Sequence, residues 1–218
     1  MALKVLIATG GSGGHLFPAQ QLTQLLSDCD VVFAGHKLAT NPFFDRKIPF
    51  HEIASSSKKK GLFAILKGVC QSLKLIWQIG PDVVVGFGSF HSFPVLLAAV
   101  LLRKKIVLFE ANCSLGKVNR FFTRFATQIA FQFPIAEKKA AYVPLLPWVG
   151  KQMTPVSRTA ARKSYCLQDE VFTILVFGGS QGAAFINQAF CAAAKRLHER
   201  GEALQVIHLT GKEDPDVQ

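Results

Sequence analysis

The sequence predicts an α/β protein made of two Rossmann-like domains, each a parallel sheet covered by helices. Three observations carry that prediction. Short β-branched apolar runs alternate with helical patterns, the rhythm of βαβ units. The rhythm breaks after residue 140 and restarts near 171. Each half also opens on a strand that runs into a glycine-rich turn and a helix, ATGGSGGHLF (8–17) and VFGGSQGAAF (176–185).

The first strand is KVLIAT (4–9), followed by a helix over 16–27 with Leu22, Leu25 and Leu26 on one face. DVVFAG (30–35) and PFHEIA (49–54) are strands. A helix covers 62–78, PDVVVGFG (81–88) is a strand, and 93–103 is a helix. KIVLFEA (105–111) is a strand, 116–125 a helix, and TQIAFQF (127–133) a strand. Such near-continuous apolar strands suit a parallel sheet buried on both faces. The stretch from Tyr142 to Glu170 holds three of the ten prolines and reads as an interdomain linker with a short helix at 158–165. Strand 171–179, helix 182–198 and strand 204–211 then begin a second domain. The expected boundaries are 1–144 for the first domain, 145–170 for the linker and 171–218 for the start of the second. A strand, a helix and a strand cannot bury a doubly wound core, so the second domain is expected to be cut short.

The balance of 25 Lys+Arg against 14 Asp+Glu, a formal charge of +11, attracts polyanions: nucleic acid, an anionic membrane face or phosphorylated small molecules. Nucleic acid is disfavoured, because no RNP, KH or helix-turn-helix signal appears and the basic residues are dispersed. Five scattered cysteines without a CxxC pair point to reduced thiols rather than disulfides or a zinc site, and the sequence identifies no site for a divalent metal. The opening MALKVLIATGG runs directly into a strand and shows no signal-peptide cleavage site. The longest uncharged apolar run, FPVLLAAVLL (93–102), is too short to span a bilayer.

In the glycine turns, backbone N–H groups can approach a ligand closely, and the following helix N-terminus favours phosphate. The same sequence also serves as a tight strand–helix turn with no ligand. Neither turn is a Walker A loop, since no Gly-Lys-Ser/Thr closes it. The dinucleotide fingerprint GxGxxG also fails, because its third glycine falls on Leu16 and the second strand ends in Gly35-His36-Lys37 rather than in an acid. Ligands of open parallel sheets sit beyond the carboxyl ends of the strands. The polar residues gathered there are Ser12, His15, Ser89, His91, Glu110, Asn112 and Asn119.

GGSGGH (10–15) with FPA (17–19), PDVVVGFGSFHS (81–92), FEAN (109–112) and FGGSQGAAFIN (177–187) together resemble the MurG family of UDP-N-acetylglucosamine transferases. The resemblance covers the whole chain and about the first three-fifths of that family's length. It implies a GT-B fold, two Rossmann-like domains facing a cleft. It also implies inverting transfer of GlcNAc from UDP-GlcNAc to the 4-hydroxyl of MurNAc in lipid I (undecaprenyl-pyrophosphoryl-MurNAc-pentapeptide), giving lipid II for peptidoglycan. By the same resemblance His15 is a base or acceptor-positioning group and Glu110 an acid that handles the acceptor. Ser12, Gly13, Gly14 and Asn112 fall on the nucleotide-sugar site, and Ser180 and Gln181 near the diphosphate. No cofactor is implied.

Two departures bear on activity. The family's interdomain segment carries an arginine that reaches the donor diphosphate. Here 143–149 reads VPLLPWV without it, leaving Arg158 or Arg162 as candidate substitutes. The family's ribose- and uracil-binding segment would lie beyond Gln218, so little activity is expected of these 218 residues alone. A non-catalytic remnant that binds lipid diphosphate therefore stands as the alternative.

Residues 58–78 (KKKGLFAILKGVCQSLKLIWQ) begin with a triple lysine and continue as an amphipathic helix. Its stripe is Leu62, Ile65, Leu66, Val69, Leu73 and Ile76. Such a helix can pack on the sheet or lie in a membrane interface near anionic lipid. The resemblance implies the second, with peripheral attachment to the cytoplasmic face of the bacterial inner membrane.

Overall fold

The computed structural model describes residues 2–56, 61–134, 139–144, 156–178 and 183–211. It divides into two units, Met1–Gly150 and Lys151–Gln218.

The first unit is a seven-stranded sheet of β1 (Leu3–Ala8), β2 (Cys29–Gly35), β3 (Phe50–Glu52), β4 (Val83–Gly86), β5 (Lys105–Glu110), β6 (Gln128–Phe131) and β7 (Ala140–Tyr142). The spatial order is β3-β2-β1-β4-β5-β6-β7, and every neighbouring pair is parallel. The last strand was not expected, since Ala-Ala-Tyr carries almost no β signal. It forms because the edge of β6 offers a ladder, pairing Ile129 with Ala140 and Phe131 with Tyr142. The predicted strands otherwise match observed ones to within two residues at each end.

Period-two alternation gives the sheet two apolar faces. Leu6, Ala8, Val84, Ile106 and Leu108 point to one face, where they meet Leu75 and Ile76 of α2 (Leu62–Ile79), Val95 and Leu96 of α3 (Phe93–Leu101), and Phe122 of α4 (Lys117–Phe122). Val5, Ile7, Phe33, Val85 and Phe109 point to the other. There Leu16 and Ala19 of α1 (Gly13–Leu25) cover them, together with Leu38 and Phe44 from the β2–β3 connection. Leu25, expected on the buried face of α1, is exposed. Gln20 and Gln21 are buried instead.

The stripe foreseen on the basic helix divides in two. Val69, Leu75 and Ile76 face the core with Gly68 and Ser72, whereas Leu62 and Leu66 are exposed along with Phe63 and Trp77. Gly68 is obligatory: a Cβ there would stand 1.9 Å from the Ala54 carbonyl oxygen. α2 is long and apolar enough to cross a membrane by length and composition alone, yet five of its residues are buried against its own domain. The triple lysine, Lys58 to Lys60, lies outside the described residues.

The second unit holds α5 (Arg158–Ser164), within the stretch read as a linker, then β8 (Phe172–Phe177), α6 (Ala184–Glu199) and β9 (Leu204–Leu209). β8 and β9 pair in parallel. Asn187 of α6 is buried, donating from Nδ2 to Thr210 O (2.9 Å) while its Oδ1 lies 3.0 Å from His208 Nε2.

Candidate functional site

The chain runs outward from β1 through β2 to β3 and returns to place β4 against the other side of β1. That reversal opens a crevice beyond the carboxyl ends of β1 and β4, the usual ligand position in such sheets. Two loops meet there, one after each strand, tied by the bond from Phe87 N to Ala8 O (3.0 Å).

The loop after β1 is the glycine turn. Gly10 and Gly11 have φ of +152° and +88°. A side chain on either would press on the neighbouring loop, 3.0 Å from His91 Cβ at Gly10 and 3.2 Å from Ser89 Oγ at Gly11. Asn41 Nδ2 donates to Gly11 O (2.7 Å) and pins the turn from outside. Ser12 is the N-cap of α1, but its hydroxyl makes no capping bond and remains available. Gly13 is buried and Gly14 exposed at the first turn of α1.

His15 follows on α1. Its Nδ1 lies 2.7 Å from the main-chain oxygen of Phe87. A carbonyl oxygen only accepts, so Nδ1 carries the hydrogen, and in the neutral ring Nε2 keeps its lone pair. The backbone of α1 and the end of β4 thus select the tautomer suited to taking a proton.

His15 lines a cavity of about 380 Å³ together with Glu110, Asn112, Lys117 and Asn119. Glu110 ends β5 and is buried. Its Oε1 accepts from Asn112 N (3.2 Å) and Asn112 Nδ2 (2.7 Å). Its Oε2 accepts from Gly116 N (2.9 Å) and Asn119 Nδ2 (2.9 Å). Four donors occupy the carboxylate, so it organises the loop between β5 and α4.

The structure thus brings together His15, Glu110 and Asn112 in one cavity, with Ser12, Gly13 and Gly14 in the adjoining turn. Ser180 and Gln181 lie outside the described residues. Arg162, one of the two candidate substitutes for the linker arginine, is engaged locally. Its guanidinium donates to Gln168 O, Val171 O and Thr173 Oγ1 and lies 3.7 Å from Asp169 Oδ1, so it is committed inside its own unit.

Asn119 was noted in the sequence without a role. It is almost fully buried, and its Nδ2 bonds both Phe109 O and Glu110 Oε2 at 2.9 Å. Two acceptors fix the orientation of the amide, and its Oδ1 is left buried without a partner in the cavity wall. An acceptor in that position suits a hydroxyl or N–H of a ligand. Lys117, also on the cavity wall, is identified by tertiary contact alone.

Comparison with known proteins bears on this site. The profile of the glycosyltransferase family 28 N-terminal domain matches residues 5–131, and that of the family 28 C-terminal domain matches 173–218. A UDP-N-acetylglucosamine--N-acetylmuramyl-(pentapeptide) pyrophosphoryl-undecaprenol N-acetylglucosamine transferase from Protochlamydia amoebophila is 39% identical, over 97% of this chain and 60% of its own length. The transferase of the same name from Thermodesulfovibrio yellowstonii is 30% identical, with 97% and 63% covered. The chain therefore spans about three-fifths of the relatives it matches. The crystal structure of Acinetobacter baumannii MurG superposes with a TM-score of 0.68 at 26% identity, covering 97% of this chain and 59% of that one. The spinosyn forosaminyltransferase SpnP (TM-score 0.62, 11% identity, covering 100% of this chain and 69% of that one) shares the fold alone.

Proposed function

The chain belongs to glycosyltransferase family 28, and from that premise we propose that the protein transfers GlcNAc from UDP-GlcNAc to the 4-hydroxyl of MurNAc in lipid I, with inversion at the anomeric carbon. The observation that carries the reading is the tautomer of His15: its Nδ1–H is held by Phe87 O at the edge of a cavity lined by two asparagines. The relatives of this name and the MurG structure support the same substrates.

In a single displacement, Nε2 of His15 takes the proton of the acceptor hydroxyl. The acceptor oxygen then bonds to the anomeric carbon while the bond to the UDP oxygen breaks on the opposite face. Negative charge grows on the departing diphosphate as the sugar becomes oxocarbenium-like. Backbone N–H groups of the glycine turn and the first turn of α1 suit such charge, with Ser12, Gly13 and Gly14 as its contacts. Asn112 holds a sugar hydroxyl, and Ser180 and Gln181 of the second glycine turn meet the diphosphate. Glu110 acts as a positioning residue here rather than as the acid, since its four hydrogen bonds set Asn112 and Asn119.

Attachment to anionic membrane at the cytoplasmic face fits the same reading. Leu62, Phe63, Leu66 and Trp77 are exposed on α2, with Lys67 and Lys74 on the same helix. Binding of lipid diphosphate without transfer is a second reading, favoured by the engagement of Arg162.

The test is transfer of labelled GlcNAc from UDP-GlcNAc to a lipid I analogue, on this chain and on one continued through a complete family 28 C-terminal domain. Transfer that disappears with His15→Ala is expected. An inactive extended protein that still binds the analogue would favour the second reading.

A further inference from the structure

The glycine turn is braced by a pair of histidines that the transfer reaction does not use. His91 stands in the 3-10 turn Phe90–Ser92 after β4, with its backbone N–H held by Ser89 Oγ (3.3 Å). The ring of His91 lies on the glycine turn, its Cδ2 3.3 Å from where a Cβ on Gly11 would stand. His36, just beyond β2, stacks on it: the two ring centroids are 5.1 Å apart and the planes 27° from parallel. Nδ1 of His91 is buried and has no hydrogen-bond partner.

We propose that His91 is a positioning residue: packed against Gly11 and His36, its ring holds the glycine turn in its binding shape, and it leaves that seat when it takes up a proton. The inference rests on the reading of the turn as the element that receives the ligand.

A neutral imidazole tolerates this seat, because the buried Nδ1 is then a bare acceptor. An imidazolium has two N–H donors, and the one at Nδ1 would be buried with nothing to accept it. The groups acting electrostatically on the ring are His36 and Lys37 after β2 and His15 from α1, all cationic when charged. The acid on the neighbouring strand, Glu52 of β3, is occupied by the backbone N–H groups of Lys37 (2.8 Å) and Ala39 (2.7 Å). Burial, with these neighbours, accordingly holds His91 below the ordinary histidine value of 6.5. Once the ring leaves, Gly10 and Gly11 lose the contact that fills the space beside them, and the turn samples other shapes.

Nuclear magnetic resonance of this chain tests the idea directly. The backbone amides of Gly10, Gly11 and Ser12 are followed with the His91 ring as acid is added, from about pH 8 to about pH 5. The amides are expected to shift in one step whose midpoint is that of His91 and lies below 6.5. His91→Phe, with a ring that cannot take a proton, should abolish the step and keep the neutral-pH amide positions. His36→Phe should move the midpoint upward by removing one repelling charge. Amides that stay still while His91 titrates, or a step that survives in His91→Phe, would overturn the proposal. The extended transferase gives a second readout: below the midpoint, the KM for UDP-GlcNAc should rise about tenfold per pH unit as the seated fraction falls, and His91→Phe should flatten that rise. A titrating turn in an extended protein that transfers no GlcNAc would sink the transferase reading and leave this one standing.

Discussion

His15 and Phe87 are joined by a 2.7 Å hydrogen bond from ring Nδ1 to main-chain oxygen, across 72 residues of sequence. The bond places the ring and assigns its proton together, because a peptide oxygen cannot donate. Its acceptor lies just past β4, so the strand order that sets β4 beside β1 also selects the tautomer of the ring.

If His15 is that base, His15→Ala should lower kcat by about 10²–10⁴-fold in an extended transferase. The folded state should persist, since the side chain is only half-buried. Steady-state kinetics beside a thermal melt check both. Unchanged kcat would remove His15 from the reaction.

Glu110→Gln keeps the shape of the side chain but replaces one accepting oxygen with an amide donor that faces existing donors. A loss of about 1–3 kcal/mol of stability is expected, readable as a lower urea midpoint. A variant as stable as wild type would show that the four-bond network does not hold this loop.

Stability should fall with acid on account of His91. Its ring is held neutral in the fold below the ordinary 6.5, whereas the unfolded chain takes up the proton at that value. The folded state therefore binds fewer protons, and its stability, full above 6.5, declines as pH drops below it. Urea unfolding at neutral and mildly acidic pH, on wild type and His91→Phe, should show a smaller decline in the variant.

Gly68→Ala should cost about 3 kcal/mol or more. Its methyl would meet the Ala54 oxygen at 1.9 Å, so two backbones must part. Chemical denaturation measures it, and a neutral result would mean that α2 is free to shift.

Replacing Phe63 and Trp77 with serine should remove binding to anionic vesicles in flotation and change stability by less than about 0.5 kcal/mol each. The two side chains are 86% and 81% exposed, so their apolar surface does not serve the core. Retained flotation would place membrane contact elsewhere.

The local sequence determined the alternation of strands and helices, the break before the second unit and the glycine turn, with His15, Glu110 and Asn112 at strand ends. These follow from period, β-branching and glycine content, which act over a few residues. The resemblance of four motifs supplied the family. Tertiary structure alone decided the rest. β7 exists only because β6 presents an open edge, and α2 divides its apolar residues between core and surface because Gly68 lets one side reach Ala54. Glu110 became a loop organiser because Gly116 and Asn119 arrive at its second oxygen. His36 and His91 became a pair because the crossover sets loops 55 residues apart side by side. Such contacts depend on distances that a linear chain does not contain, and they are fixed only when burial of both sheet faces selects one order of strands.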